Sequence, residues 1–299
     1  MSLLQCINEV SMWPAPAKVN WFLHITGRRP DGYHELQSLF QFLDFGDTLQ
    51  FHVRDDGVIN RLSEIEGVAV QDDLVVKAAG RLQQVASSDF GVDIQVEKHI
   101  PMGGGLGGGS SDAATVLVAL NQLWGLNYSI DTLADIGLSL GADVPVFVRA
   151  HAAWAEGVGE KLTEVTLEEP WLVVISPGVS VPTAELFTDS ELTRDSQAIT
   201  IRDYLGGAGG NVFEPLVRRK FPAVAAALDW LNTVLGTDSA KMSGTGSSVF
   251  VAVPSEERAQ QVLEQMPTQW CGVKGSGFKA KALNVSPLQT KCRKMFGKF

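Results

Sequence analysis

A chain of 299 residues, 45% of them hydrophobic and with a mean hydropathy of +0.07, has room for one large or two ordinary domains with real cores. Its 24 basic and 34 acidic residues give a net charge of −10, which argues against broad binding to nucleic acid or an anionic membrane and makes any anion site local. Cys6, Cys271 and Cys292 lie far apart without a C-x-x-C, no H-E-x-x-H occurs, and no apolar run reaches the ~18 residues of a membrane span. With no signal-like N-terminus either, this is the pattern expected of a cytoplasmic protein without disulfides or structural zinc.

Residues 1–13 read as a lead-in. Ala17 to Thr26 predicts a strand, with Ala17, Val19, Trp21, Leu23 and Ile25 on one face and Lys18 and Asn20 together on the other. By pattern alone the second face is an ordinary wet one. Gly27 to Gly32 predicts a turn, followed by Tyr33-His34 and an apolar segment to Phe45. A second turn is expected at Gly46-Asp47-Thr48, then a strand from Leu49 to Val53 and a helix from Asp73 to Ala86.

Val92 to Ile100 alternates as a strand should, and Ala113, Val116, Leu117, Leu120, Leu123 and Trp124 recur at helical spacing. Between them lies Pro101, Met102, Gly103, Gly104, Gly105, Leu106, Gly107, Gly108, Gly109, Ser110, Ser111, with the two serines placed where an N-cap belongs. Glycines let a backbone approach a ligand closely. The first N–H groups of a helix lack internal partners and favour an anion, most often a nucleotide phosphate.

Helix 130–140 follows, and Gly141 to Val148 predicts a turn running into an apolar strand. Composition turns polar over 157–169, which places a domain boundary there. Beyond it the expectations are a strand 171–176, a short helix 182–187, an irregular stretch 188–210 and a long helix 212–235 kinked near Pro222. A second glycine loop, Ser243 to Ser248, runs into strand 249–253. Helix 255–266, strand 278–285 and a short basic solvated tail at 291–298 complete the chain. The mixture indicates an α+β fold.

The first glycine loop lacks the Gly-Lys-Ser/Thr of a Walker A loop. It lacks the second strand and ribose-binding acid of a dinucleotide fold, which disfavours an oxidoreductase. Asp-Phe-Gly occurs at 44–46 and 89–91, but no His-Arg-Asp accompanies it, so both are turns and not parts of a protein kinase. What remains resembles the GHMP kinases, through Pro16-Ala-Lys18-Val-Asn20, Asp31-Gly-Tyr33-His34, the glycine loop, Gly141-Ala-Asp143-Val-Pro and Met242-Ser-Gly-Thr-Gly. The pairing of Pro-Ala-Lys-x-Asn with Asp-Gly-Tyr-His resembles the branch that acts on a cytidine-diphosphate-linked methylerythritol in isoprenoid synthesis.

That resemblance implies an N-terminal ATP domain, residues 1–163, with a left-handed β-α-β crossover. A ferredoxin-like substrate domain, residues 164–299, would follow, with the active site in the cleft between them. It implies Asp143 as general base on the substrate's 2-hydroxyl and Lys18 beside it. Asn20 would help place the substrate, while Tyr33, His34 and Phe187 would recognise the cytosine. Residues 103–111 would cradle the phosphates of ATP, with Lys98 near the nucleoside. ATP with Mg²⁺ and a small-molecule alcohol are the implied ligands, with no nucleic acid, membrane or obligate protein partner, and no carboxylate pair marks a site for the metal. The family's Asn at the start of helix 74–86, which helps read adenine, is replaced by Asp73, and a carboxylate cannot donate a hydrogen bond. Another small-alcohol GHMP kinase is the alternative, and Asp-Gly-Tyr-His speaks against it. An idle nucleotide binder is a third possibility, disfavoured because binding alone needs neither Lys18 nor Asp143.

Overall fold

The computed structural model describes residues 11–297. Strand β1 (Ser11–Arg28) pairs antiparallel with β2 (His34–Arg54) around the turn at Gly32. The turn expected at Gly46 is absent, and β2 runs unbroken for 21 residues. Gly46 lies opposite Pro16, where a Cβ would sit 2.4 Å from the Ala15 carbonyl oxygen. The glycine therefore serves the close approach of two strands, and turn chemistry was the wrong inference from it. Residues 1–10 of the expected lead-in lie outside the described residues, but Trp13 is fully buried at the start of β1.

Strand β3 (Ile59–Arg61), helix Leu74–Ala86 and β4 (Gly91–Glu97) follow, with β3 and β4 parallel. Helices Gly108–Leu123, Ile130–Leu138 and Val144–Arg149 then pack on the sheet. The last of these was expected as a strand. A short apolar run does not distinguish the two, and Pro145, near the helix start, is compatible with the helix because its missing N–H is not needed there. Strands β5 (Ala153–Glu156) and β6 (Lys161–Glu164) form a hairpin whose first strand pairs with β2.

The second half comprises β7 (Trp171–Ser176), helices Thr183–Thr188 and Ile201–Leu205, then two helices in place of the one long helix expected, Glu214–Lys220 and Pro222–Leu235. Phe221 between them leaves helical geometry at φ −126°, as the residue before proline tends to. Strands β8 (Lys241–Met242) and β9 (Val249–Val253), helix Glu256–Glu264, the small hairpin β10 (Gln269–Trp270) and β11 (Val273–Lys274), β12 (Ser276–Leu283) and helix Pro287–Phe296 complete it.

The main sheet runs β3-β4-β2-β12-β7-β9-β8, and β12 joins its halves. Its residues 276–281 pair with β7, while Ala282 and Leu283 pair with β2. The two largest apolar cores are built mainly from residues between Trp13 and Ala155 and between Val173 and Trp270, and a smaller one, with Val19, Leu106, Val174 and Phe250, draws on both halves. Two segments cross over. Leu23 and Ile25 of β1 enter the second core, and Leu288 and Cys292 of the last helix enter the first. The expected solvated tail is thus largely a docked helix, with Phe296 stacked on Trp13 at 6.1 Å. Its basic residues are spaced so that the apolar ones between them share a buried face.

Candidate active site

The first glycine loop reaches its helix earlier than expected. Helix Gly108–Leu123 begins on Gly107, with no side-chain cap, and Ser110 and Ser111 lie inside its first turn. Replacing a side-chain cap by glycine leaves the leading N–H groups uncovered by the protein. Gly105 and Gly107 both have left-handed φ, +72° and +75°. A Cβ on Gly105 would meet the Ser243 carbonyl oxygen at 2.2 Å, and one on Gly107 would meet the Phe147 ring at 2.7 Å. The second glycine loop therefore packs backbone to backbone against the first. Ser243 Oγ fastens them by donating to the Gly105 carbonyl at 2.8 Å and accepting from the Asn20 amide at 3.2 Å.

Lys18 projects from β1 under this loop. Its face of the strand was expected to be wet, yet Lys18 and Asn20 are each only 3% exposed. Lys18 Nζ donates to Asn20 Oδ1 and to the Gly105 carbonyl at 3.1 Å, and it lies 5.3 Å from the centre of the Phe40 ring. Asp143 Oδ2 is 3.4 Å away. Asp143 stands at the N-cap position of helix Val144–Arg149, but its side chain makes no cap hydrogen bond and is 36% exposed. Its carboxylate is therefore free to face the cleft beside a buried ammonium. Asn20 is held too, donating from Nδ2 to Ser38 Oγ at 2.7 Å while its Oδ1 receives Lys18, so its side chain orients the lysine.

At the far end of the cleft the Asp31-Gly32 turn forms as expected. The Tyr33 amide donates to Asp31 Oδ1 at 3.1 Å, and Tyr33 stands 65% exposed. The His34 ring stacks on Phe187 at 5.2 Å. Desolvation, then the charges of Arg194 and Arg28, hold the His34 imidazole below its usual value of 6.5. Arg194 was not found from sequence. It lies in a stretch with no periodicity, where no spacing marks it.

Lys98 also lines the cleft, clamped between two carboxylates. It donates to Asp47 and, at 2.7 Å, to Asp112 Oδ2. Burial pulls the Lys98 ammonium down, but Asp112 and Asp47 outweigh it and its pKa is raised. Asp112 is pushed up by burial, against the pull of Lys98. Asp73 is occupied as well: one oxygen accepts the Val75 amide at 2.9 Å, the other pairs with Arg61 at 2.7 Å. Of the loop residues expected to face a ligand, Pro101 to Ser110 line the cleft, whereas Ser111 is fully buried on the core side.

One cleft of about 1480 Å³ contains all of this, from Asp73 and Lys98 past Lys18 and Asp143 to Tyr33, His34 and Phe187. Single-ligand pockets span roughly 300–1,000 Å³, so two substantial ligands fit end to end. A phosphate cradle, a central acid–lysine pair and an aromatic pocket beyond them define a nucleotide-dependent kinase of small molecules.

Comparison with known proteins agrees. Residues 73–151 match the GHMP kinases N terminal domain and residues 191–271 the GHMP kinases C terminal domain. The 4-diphosphocytidyl-2-C-methyl-D-erythritol kinase of Halorhodospira halophila is 53% identical over 94% of this chain and 96% of its own. That of Nitrosococcus oceani is 54% identical over 89% and 94%. A crystal structure of 4-(cytidine 5'-diphospho)-2C-methyl-D-erythritol kinase superposes with a TM-score of 0.75 at 31% identity, covering 91% of this chain and 99% of that one. The chain belongs to the GHMP kinase family, in its 4-diphosphocytidyl-2-C-methyl-D-erythritol kinase branch.

Proposed function

We propose that the protein transfers the γ-phosphoryl group of ATP to the 2-hydroxyl of 4-diphosphocytidyl-2-C-methyl-D-erythritol, releasing ADP, in the methylerythritol-phosphate route to isoprenoids. The observation that carries the reading is Asp143, uncapped and open to the cleft, 3.4 Å from buried Lys18 beneath the glycine loop. Phosphoryl transfer depends on positioning and charge neutralisation. Asp143 accepts the proton of the attacking hydroxyl. Lys18 keeps that carboxylate oriented and offsets the charge that builds up. The loop and the N-terminus of helix Gly108–Leu123 hold the phosphates through backbone N–H groups. Tyr33, His34 and Phe187 bind the cytosine, an aromatic face and an imidazole edge being suited to a pyrimidine. Residues 1–163 serve ATP and residues 164–299 complete the substrate side, with β1 and the last helix crossing over.

Magnesium fits this site in the manner usual for kinases. Among the described residues no three His, Cys, Asp or Glu side chains are grouped to hold a metal. Mg²⁺ keeps several waters and takes few protein ligands, the rest coming from substrate phosphates. Ser110, a hydroxyl on the cleft wall near Gly141, would contribute to holding it, and the ion would neutralise phosphate charge. The test is ADP release with Mg-ATP and, in parallel, the cytidyl alcohol, mevalonate and homoserine. Turnover with the cytidyl alcohol alone is expected. Turnover only with mevalonate or homoserine would overturn the assignment.

A further inference from the structure

Arg194 uses four of its five N–H donors, and none goes to a carboxylate. Nη2 donates to the carbonyls of Phe187 at 2.8 Å and Asp189 at 2.7 Å, and Nη1 to that of Leu192 at 3.1 Å. Nε donates to His34 Nε2 at 3.2 Å. The same guanidinium thus ties down the end of helix Thr183–Thr188, which carries Phe187, and grips the ring stacked upon Phe187. An N–H donated to Nε2 requires a lone pair there, so the proton of the neutral ring is on Nδ1.

We propose that Arg194 is a specificity-positioning residue: it fixes His34 as the Nδ1–H tautomer and seats Phe187, so that this end of the cleft presents a ring donor and a stacking face to an uncharged pyrimidine. The proposal rests on the cytidyl reading given above. Arginine suits this role because its planar fork spans several acceptors at once, which a lysine ammonium on a flexible stem does not reproduce. Arg28 is the other cation beside the ring, and the carboxylates nearby are paired elsewhere or exposed. Arg28 lies opposite His34 in the β1–β2 register. Asp31 and Glu35 face Arg29 at 3.5 and 3.6 Å, Asp189 is paired with Lys220, and Glu185 is exposed. Burial, then the charges of Arg194 and Arg28, hold the ring's pKa below 6.5, which favours its neutral form.

The test compares wild type, Arg194→Met, Arg194→Lys and His34→Ala, by steady-state kinetics and by nitrogen chemical shifts of the His34 imidazole. Arg194→Met is expected to raise KM for the cytidyl substrate about tenfold, the scale of a lost charged hydrogen bond, with KM for ATP within about twofold of wild type. Its His34 signals should move from a single Nδ1–H tautomer to a mixture, with a higher pKa. Arg194→Lys should recover neither property. Unchanged cytidyl KM in Arg194→Met while His34→Ala raises it would overturn the role of Arg194 alone. Unchanged KM in both would overturn the cytidyl reading itself. A raised KM with the tautomer intact would overturn the fixing of the ring. Equal damage to both KM values in a variant with a lowered melting temperature would make Arg194 a folding residue and likewise overturn the proposal.

Discussion

At the scale of single residues the chemistry rests on side chains whose surroundings decide their state. Asp73 shows how much a one-atom difference matters. Where an amide can donate to a base, this carboxylate spends one oxygen on the Val75 amide and the other on Arg61. Both Asp73 oxygens thus serve the protein itself, and neither can donate to a base. Asp73→Asn should therefore cost stability through the lost ion pair, since breaking a buried pair leaves Arg61 uncompensated at about 3–5 kcal/mol. Urea unfolding measures this, and an unchanged midpoint would contradict it. His34 gives a pH prediction. Its pKa is lowered on folding, so the folded state carries a neutral ring and loses stability as pH falls through 6.5, where the unfolded chain protonates first. For the same reason KM for the cytidyl substrate should be level near neutrality and rise as the pH falls below the folded pKa, while KM for ATP stays level. His34→Ala should raise the cytidyl KM and remove that acid limb. An acid limb surviving in His34→Ala would assign the titration to another group.

At the scale of elements, the glycine loop and its neighbours show what was legible in the sequence. The loop, its preceding strand and its following helix were readable because glycine content and apolar spacing are local signals. Lys18 was placed on the correct strand, and pattern alone made its face wet where the resemblance put it in a cleft, because strand alternation says nothing about what covers the second face. Here Gly105 and Leu106 of the first glycine loop, with Phe40, close over it. Gly46 and Val144–Arg149 were misread for the same kind of reason: a glycine in close strand contact looks like a turn, and a six-residue apolar helix looks like a strand. Arg194 carried no local signal at all, since its partners lie in β2 and around a helix end. The loop geometry supplies its own prediction. A side chain at Gly107 would strike Phe147 and come within 3.1 Å of Lys18 Cε. Gly107→Val should therefore weaken ATP binding sharply and lower kcat by displacing Lys18, both measurable by calorimetry and single-turnover kinetics. Normal ATP affinity in a folded Gly107→Val protein would argue that phosphate is held elsewhere.

At the scale of the whole molecule the two cores are stitched by segments that cross between them, and the cleft lies where they meet. β1 begins in the first core with Trp13, passes under the glycine loop at Lys18 and ends in the second core with Leu23 and Ile25. The last helix returns to seal Trp13 with Phe296. Trp13→Ala should cost about 3–5 kcal/mol by leaving a cavity at this closure, seen as a lower urea midpoint. A midpoint unchanged from wild type would make the crossover dispensable. Lys18 and Asp143 lie 3.4 Å apart in this cleft, and the second half reaches them through Ser243, which donates to the same Gly105 carbonyl that Lys18 bonds. The most direct measurement is kcat of Asp143→Asn on the cytidyl substrate, with ATP binding followed by calorimetry on the same preparation. The account predicts a loss of about 10²–10⁴-fold with ATP affinity retained, the scale of a missing general base. A folded Asp143→Asn protein that binds ATP and turns over at close to the wild-type rate would contradict it.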